Sequence, residues 1–110
     1  MSLPNSADAW IPREKLEEYL LNPDHPTGGA KARFFAQLGY TPENPEALEQ
    51  ELLGIARRET AEEEFVTRHG TKYVLAGYLE GIRGDRRKVR TIWIVEPRTR
   101  GPRLVTAYPV

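Results

Sequence analysis

Residues 22–35 read NPDHPTGGAKARFF, which sets an imidazole, His25, beside two glycines, Gly28 and Gly29, and two cations, Lys31 and Arg33, in one connection. Histidine is the residue type that exchanges a proton near neutral pH, and between Asp24 and Pro26 local hydrogen bonds can fix its ring for general acid or base work. The glycines let backbone N–H groups at a helix start close on a phosphate, with Lys31 and Arg33 just beyond. The segment is not a Walker loop, because no Ser or Thr follows the lysine and a helix stands where a strand is required. Two bland uses stay open beside these: the glycines make a sharp corner, and His25 is an ordinary loop histidine.

The second chemical element is the terminal RLVTAYP. Strict alternation puts Leu104, Thr106 and Tyr108 on one side of a strand and Arg103 on the other at its start, so two hydroxyls and a guanidinium can gather at the rim of a cleft. The alternative is a Tyr108 that caps the core and a Thr106 that is merely a good strand residue. Arg86, Arg87, Lys88 and Arg90 form a basic run that either guards a hairpin edge or steers a nucleic acid. His69 falls in a turn without a carboxylate cluster, so no metal and no other cofactor is expected.

The elements that must position these groups follow from the apolar spacing. Residues 1–10 read as an arm, with Trp10 and Ile11 as its first apolar anchors, and 11–110 as a single α+β domain. Pro12 opens a helix over 12–21 with Leu16, Tyr19 and Leu20 on one stripe, stopped by Asn22-Pro23. Ala30, Phe34, Phe35 and Leu38 give a second helix, which Gly39 ends. Asn44 and Pro45 start a third, with Leu48, Leu52 and Ile55 inward. From Glu64 the period changes to two, and turn signals predict strands over 63–68, 72–79, 88–95 and 103–108, joined by a loop over 97–102. The fold class is therefore α+β, N-terminal helices packed on a four-stranded antiparallel β-meander.

Composition narrows the function classes. A chain of 110 residues holds one core. With no cysteine, disulfides, thiolate catalysis and cysteine-held metals drop out. No apolar run reaches the ~20 residues of a membrane span, and no secretory leader opens the chain; a cytoplasmic location without membrane attachment is expected. The formal charge of zero hides two opposed halves: residues 1–66 carry 6 Lys and Arg against 13 Asp and Glu, a net −7, and residues 67–110 carry 10 against 3, a net +7. Such asymmetry suits either a polyanionic partner or mutual attraction of the halves.

The strings IPREKLEEYLLNPDHPTGGAKARFF, LGY, HGTKYVLAGYLEG, RTIWIVE and PRLVTAYP resemble an uncharacterised bacterial family of small domains that also occurs as a C-terminal module of larger chains. More distantly, helices followed by a meander, with a His/Lys element early and an Arg, Thr, Tyr element on the last strand, are similar to the barnase, EndoU, colicin and RelE group of ribonuclease toxins. That resemblance implies metal-independent cleavage of RNA through attack by the ribose 2′-hydroxyl, in the cytoplasm or after delivery as a toxin module, with an immunity or antitoxin protein as partner. It implies His25, Lys31, Thr106 and Tyr108 as catalytic residues and Gly28, Gly29, Arg33 and Arg103 as phosphate contacts. His25 would be the acid or base, Lys31 would stabilise the phosphorane, and the hydroxyls would orient the phosphate or protonate the leaving oxygen. The competing class is a binding module without chemistry, for a protein or a nucleic acid.

Overall fold

The structure is a computed structural model that describes residues 2–99 and 101–110; the predicted loop 97–102 includes Arg100, which lies outside them. A 3₁₀ turn, Ser6–Asp8, and a π-helix, Lys15–Leu20, precede helices α1 (Gly29–Gln37) and α2 (Pro45–Arg58). Strands β1 (Glu63–Thr67), β2 (Gly70–Glu80), β3 (Arg86–Val95) and β4 (Arg103–Pro109) follow. They pair antiparallel in the order β1-β2-β3-β4, the meander that the turn spacing predicts.

Each helix forms for a local reason. Pro45 occupies the first turn of α2, where a missing N–H is harmless, and Leu48, Leu52 and Ile55 make a fully buried stripe. Asn44 does not cap α2 with its side chain. It folds the preceding loop instead, Oδ1 accepting from the Thr41 N–H at 2.7 Å and Nδ2 donating to the Gly39 carbonyl at 3.1 Å. Helix α1 ends at a Gly39 with φ +92°, as a left-handed stop requires. Its inward face is Ala32, Phe34 and Phe35, continued by Leu38, whereas Ala30 is exposed in the first turn.

The core lies between the helices and one face of the sheet, where Tyr73, Leu75, Leu79, Val89 and Trp93 meet Leu16, Leu20, Phe35 and Leu52. Strand β3 is internal, as its two apolar faces predict, with Val89, Thr91 and Trp93 inaccessible and Ile94 also buried. The alternation predicted for β4 is broken. A register shift between Ile92 and Trp93 lets Leu104 and Ala107, three residues apart, both become fully buried, because a bulge reverses the pleat downstream of it. Leu104, Thr106 and Tyr108 thus do not form one continuous row. At the N-terminus the anchors are Leu3, Ala9 and Ile11, while Trp10 is 44 % exposed. Trp10 is nevertheless fixed, because its N–H donates to the Pro102 carbonyl and its carbonyl accepts from Leu104, a parallel bridge to Arg103.

Candidate functional site

The loop after the π-helix is built by its own histidine. His25 Nδ1 accepts from the backbone N–H of Gly28 at 2.9 Å and of Thr27 at 3.1 Å, so in the neutral ring the proton sits on Nε2. The Gly29 N–H returns to the His25 carbonyl at 3.0 Å. The N–H groups of Thr27, Gly28 and Gly29 are therefore all used within the loop. The glycines serve close packing: a Cβ on Gly28 would stand 2.7 Å from the Tyr19 carbonyl and 2.9 Å from its ring, and one on Gly29 2.7 Å from the Pro23 carbonyl. Gly28 and Gly29 thus form a corner seated against the Tyr19 and Pro23 backbone.

That seating brings Tyr19 to the centre of a cation cluster. Lys31 Nζ donates to the Tyr19 hydroxyl at 3.0 Å and lies 5.3 Å from the ring centre, Lys15 Nζ stands 4.6 Å over the same ring, and the His25 ring meets it edge-on at 4.9 Å. The Lys31 bond lowers the phenol below its usual 10.0, against the opposing pull of partial burial, with Thr106 and the charge of Lys15 acting in the same direction as Lys31. Thr106 Oγ1 is buried without a hydrogen bond of good geometry, yet it is near enough to Tyr19 to take part in that shift. A cleft of about 550 Å³ opens beside the cluster, lined by Pro12, Glu14, Lys15, Glu18, Tyr19, Asn22, His25 and Arg103.

Of the residues singled out in the sequence, His25 and Arg103 line the cleft, Lys31 reaches it through Tyr19, and Thr106 backs Tyr19. Arg103 Nε is held by Glu96 Oε1 at 3.0 Å, which depresses the Glu96 carboxyl. Tyr108 is not among the cleft-lining residues; it stands opposite Arg90 across β3 and β4, where Glu62 first and Tyr108 after it raise the Arg90 guanidinium. Arg33 is exposed and leans back towards Gly29. The basic run packs on aromatic faces and a carboxylate: Arg86 over Tyr78, Arg87 over Phe34, Arg90 to Glu62 at 2.7 Å. Sequence reading missed Lys15 and Tyr19 as site residues, since Tyr19 sits on the apolar stripe of its helix. Nothing in KLEEYL announces the π-turn that accompanies them, a feature frequent at functional sites. Among the described residues no three His, Asp or Glu side chains gather to hold a metal.

The chain belongs to the family described as "Domain of unknown function (DUF6883)", whose model matches residues 2–110. No curated protein matches the sequence. The fold is similar to that of a chain in the contact-dependent growth inhibition toxin–immunity protein complex from Klebsiella pneumoniae 342, with a TM-score of 0.75 at 11 % identity over 96 % of both chains. Among the described residues no helix is long and apolar enough to cross a membrane.

Proposed function

We propose that this member of the DUF6883 family is a toxin-type endoribonuclease that cleaves RNA without a metal, with its reaction centre at the Tyr19 cluster. The observation that carries the reading is the Tyr19 hydroxyl, held by Lys31 at 3.0 Å under a second lysine at the wall of an open cleft that also presents His25 and Arg103. Two ammonium groups and a guanidinium suit a phosphodiester. A phenol whose ionised form is stabilised by a neighbouring lysine suits the removal of a ribose proton.

In this reading the ribose 2′-oxygen bonds to phosphorus while the phenolate of Tyr19 takes its proton. The P–O5′ bond breaks, and the leaving oxygen takes a proton from the Lys15 ammonium, giving a 2′,3′-cyclic phosphate and a 5′-hydroxyl. Lys31 holds Tyr19 and offsets the phosphorane charge. Arg103, oriented through Nε by Glu96, turns its terminal nitrogens to the phosphate. His25, with Nδ1 committed to the backbone, offers Nε2–H as a hydrogen-bond donor rather than a base. The Klebsiella toxin–immunity protein complex, one chain of which shares this fold, supports a toxin-related role by analogy of fold.

The test is incubation of purified protein with tRNA and total RNA in chelator, with end-group analysis. Expected are 2′,3′-cyclic phosphate ends, lost in Tyr19→Phe and Lys31→Met. Intact RNA at high protein concentration would defeat the reading. A binding module for a protein partner is the second reading, and the edge strand favours it: among the described residues β1 pairs only with β2, and four of its five residues are exposed, Phe65 and Val66 among them. An open edge of this kind accepts a strand from another chain. The second reading expects a complex through β1 that Val66→Lys disrupts, with no RNA cleavage by the free protein, whereas the first expects cleavage by the free protein.

A further inference from the structure

The chain has two tryptophans, and they are treated oppositely. Trp93 is inaccessible, its Nε1–H donating to Thr91 Oγ1 at 2.8 Å. Trp10 is 44 % exposed although the segment around it is tightly held. Ala9 and Ile11 turn inward and are buried, so alternation turns Trp10 outward. Two backbone hydrogen bonds, at 3.0 and 3.1 Å, lock it beside β4 in a parallel bridge with Arg103. Partners in such a bridge point to the same side of the sheet, one strand spacing or about 5 Å apart. Arg103 lines the cleft, and so does Pro12, two residues beyond Trp10 on the same extended segment. The exposed indole therefore stands at the rim of the cleft, next to the guanidinium.

Resting on the nuclease reading, we propose that Trp10 is a stacking platform for an unpaired base of single-stranded RNA, whose own phosphate lies on Arg103. A rigid indole loses little entropy on stacking, and base–aromatic stacking tolerates any base while excluding paired ones. Placed beside a phosphate contact, it fixes which phosphodiester enters the Tyr19 cluster and restricts cleavage to looped or single-stranded segments. The chemistry is distinct from the reaction: Trp10 positions the strand, and no proton or charge passes through it.

The probe is a 2′-O-methyl uridine dodecamer, which binds but carries no attacking hydroxyl. Because Trp93 is buried away from any ligand, a change in intrinsic fluorescence on binding reports Trp10, and saturable quenching by the oligonucleotide is expected. Trp10→Ala is expected to weaken binding by roughly 5- to 150-fold with the salt slope unchanged. Trp10→Phe keeps a ring and recovers part of the affinity, which separates stacking from damage to the fold. Arg103→Ala instead lowers the salt slope by about 0.7, one single-strand phosphate. Cleavage of a hairpin RNA is expected in its loop by the wild type and without that preference in Trp10→Ala. No quenching with equal affinities for wild type and Trp10→Ala, while Arg103→Ala binds weakly, overturns this inference and leaves the nuclease reading standing. Absence of both binding and cleavage in the wild type overturns both.

Discussion

His25 has one nitrogen with a structural task and one with a proposed one. Nδ1 closes the loop by accepting two backbone N–H groups, and the residue lines the cleft, where the proposed chemistry uses Nε2. Asparagine places an acceptor at the same distance along the side chain as Nδ1, and glutamine places a donor at the reach of Nε2. His25→Asn is therefore expected to keep the thermal stability of the parent, while His25→Ala loses about 1 kcal/mol as at a lost helix cap. Both are expected to lose cleavage on the order of 10²-fold through the missing donor, and His25→Gln to recover part of the rate at reduced stability. Equal stability of the alanine and asparagine variants in chemical denaturation would remove the capping role. The sequence showed His25 as a chemical candidate because histidine beside Asp24 and Pro26 is conspicuous. It could not show that one nitrogen was spoken for, since the Gly28 and Thr27 N–H groups converge only in the folded turn.

At the scale of elements, the site is assembled by close approach. Loop and π-helix touch through Gly28, which has an ordinary φ of −97° and owes its identity to space rather than to backbone conformation. Gly28→Ala is expected to push the loop off Tyr19, costing about 1–3 kcal/mol as overpacking does, and to lower cleavage together with stability. A melting temperature matching the parent would show that the contact is soft. Strand β3 offers a parallel case inside the sheet. Thr91 Oγ1 accepts from Trp93 and donates to the Leu75 carbonyl at 2.9 Å, so Thr91→Val leaves the indole N–H buried and unpaired, an expected loss of about 1–3 kcal/mol in denaturant titration. Element types and order were legible from period and turn residues, as the β3 pattern shows. The bulge in β4 was not, because RLVTAYP alternates well enough to hide an extra residue that only pairing with Ile92 and Trp93 reveals. The same limit applied to the π-turn, where Tyr19 packs against the core as its stripe predicts and also lines the cleft.

Across the whole molecule, the −7 and +7 halves of the sequence both contribute to the cleft. The cleft draws Lys15, His25 and, through Tyr19, Lys31 from the acidic half and Arg103 from the basic one, while Arg90 of the basic half is tied to Glu62 of the acidic half. The asymmetry left a polyanionic partner and mutual attraction of the halves open; the Arg90–Glu62 pair joins the halves, and the cleft sets its cations beside Glu14 and Glu18. The tyrosines report this placement through pH. Tyr40 is 1 % exposed, its hydroxyl donates to the Glu80 carbonyl, and burial with the nearby Glu51 and Glu80 carboxylates raises it to about 12. A phenol raised by folding contributes stability below its unfolded value of about 10 and loses it as pH climbs towards 12, a contribution on the order of 2–3 kcal/mol. Tyr19 runs the other way: lowered by Lys31, it favours the folded state only once ionised, so its contribution is present above pH 10 and fades as pH falls through its own titration. Ultraviolet titration is expected to show one tyrosine ionising ahead of the rest, removed by Tyr19→Phe and delayed by Lys31→Met, and one ionising last, removed by Tyr40→Phe. Stability measured from pH 9 to 12 should fall less steeply in Tyr40→Phe than in the parent. An early phase that persists in Tyr19→Phe would take away the lysine-held phenol on which the proposed chemistry turns.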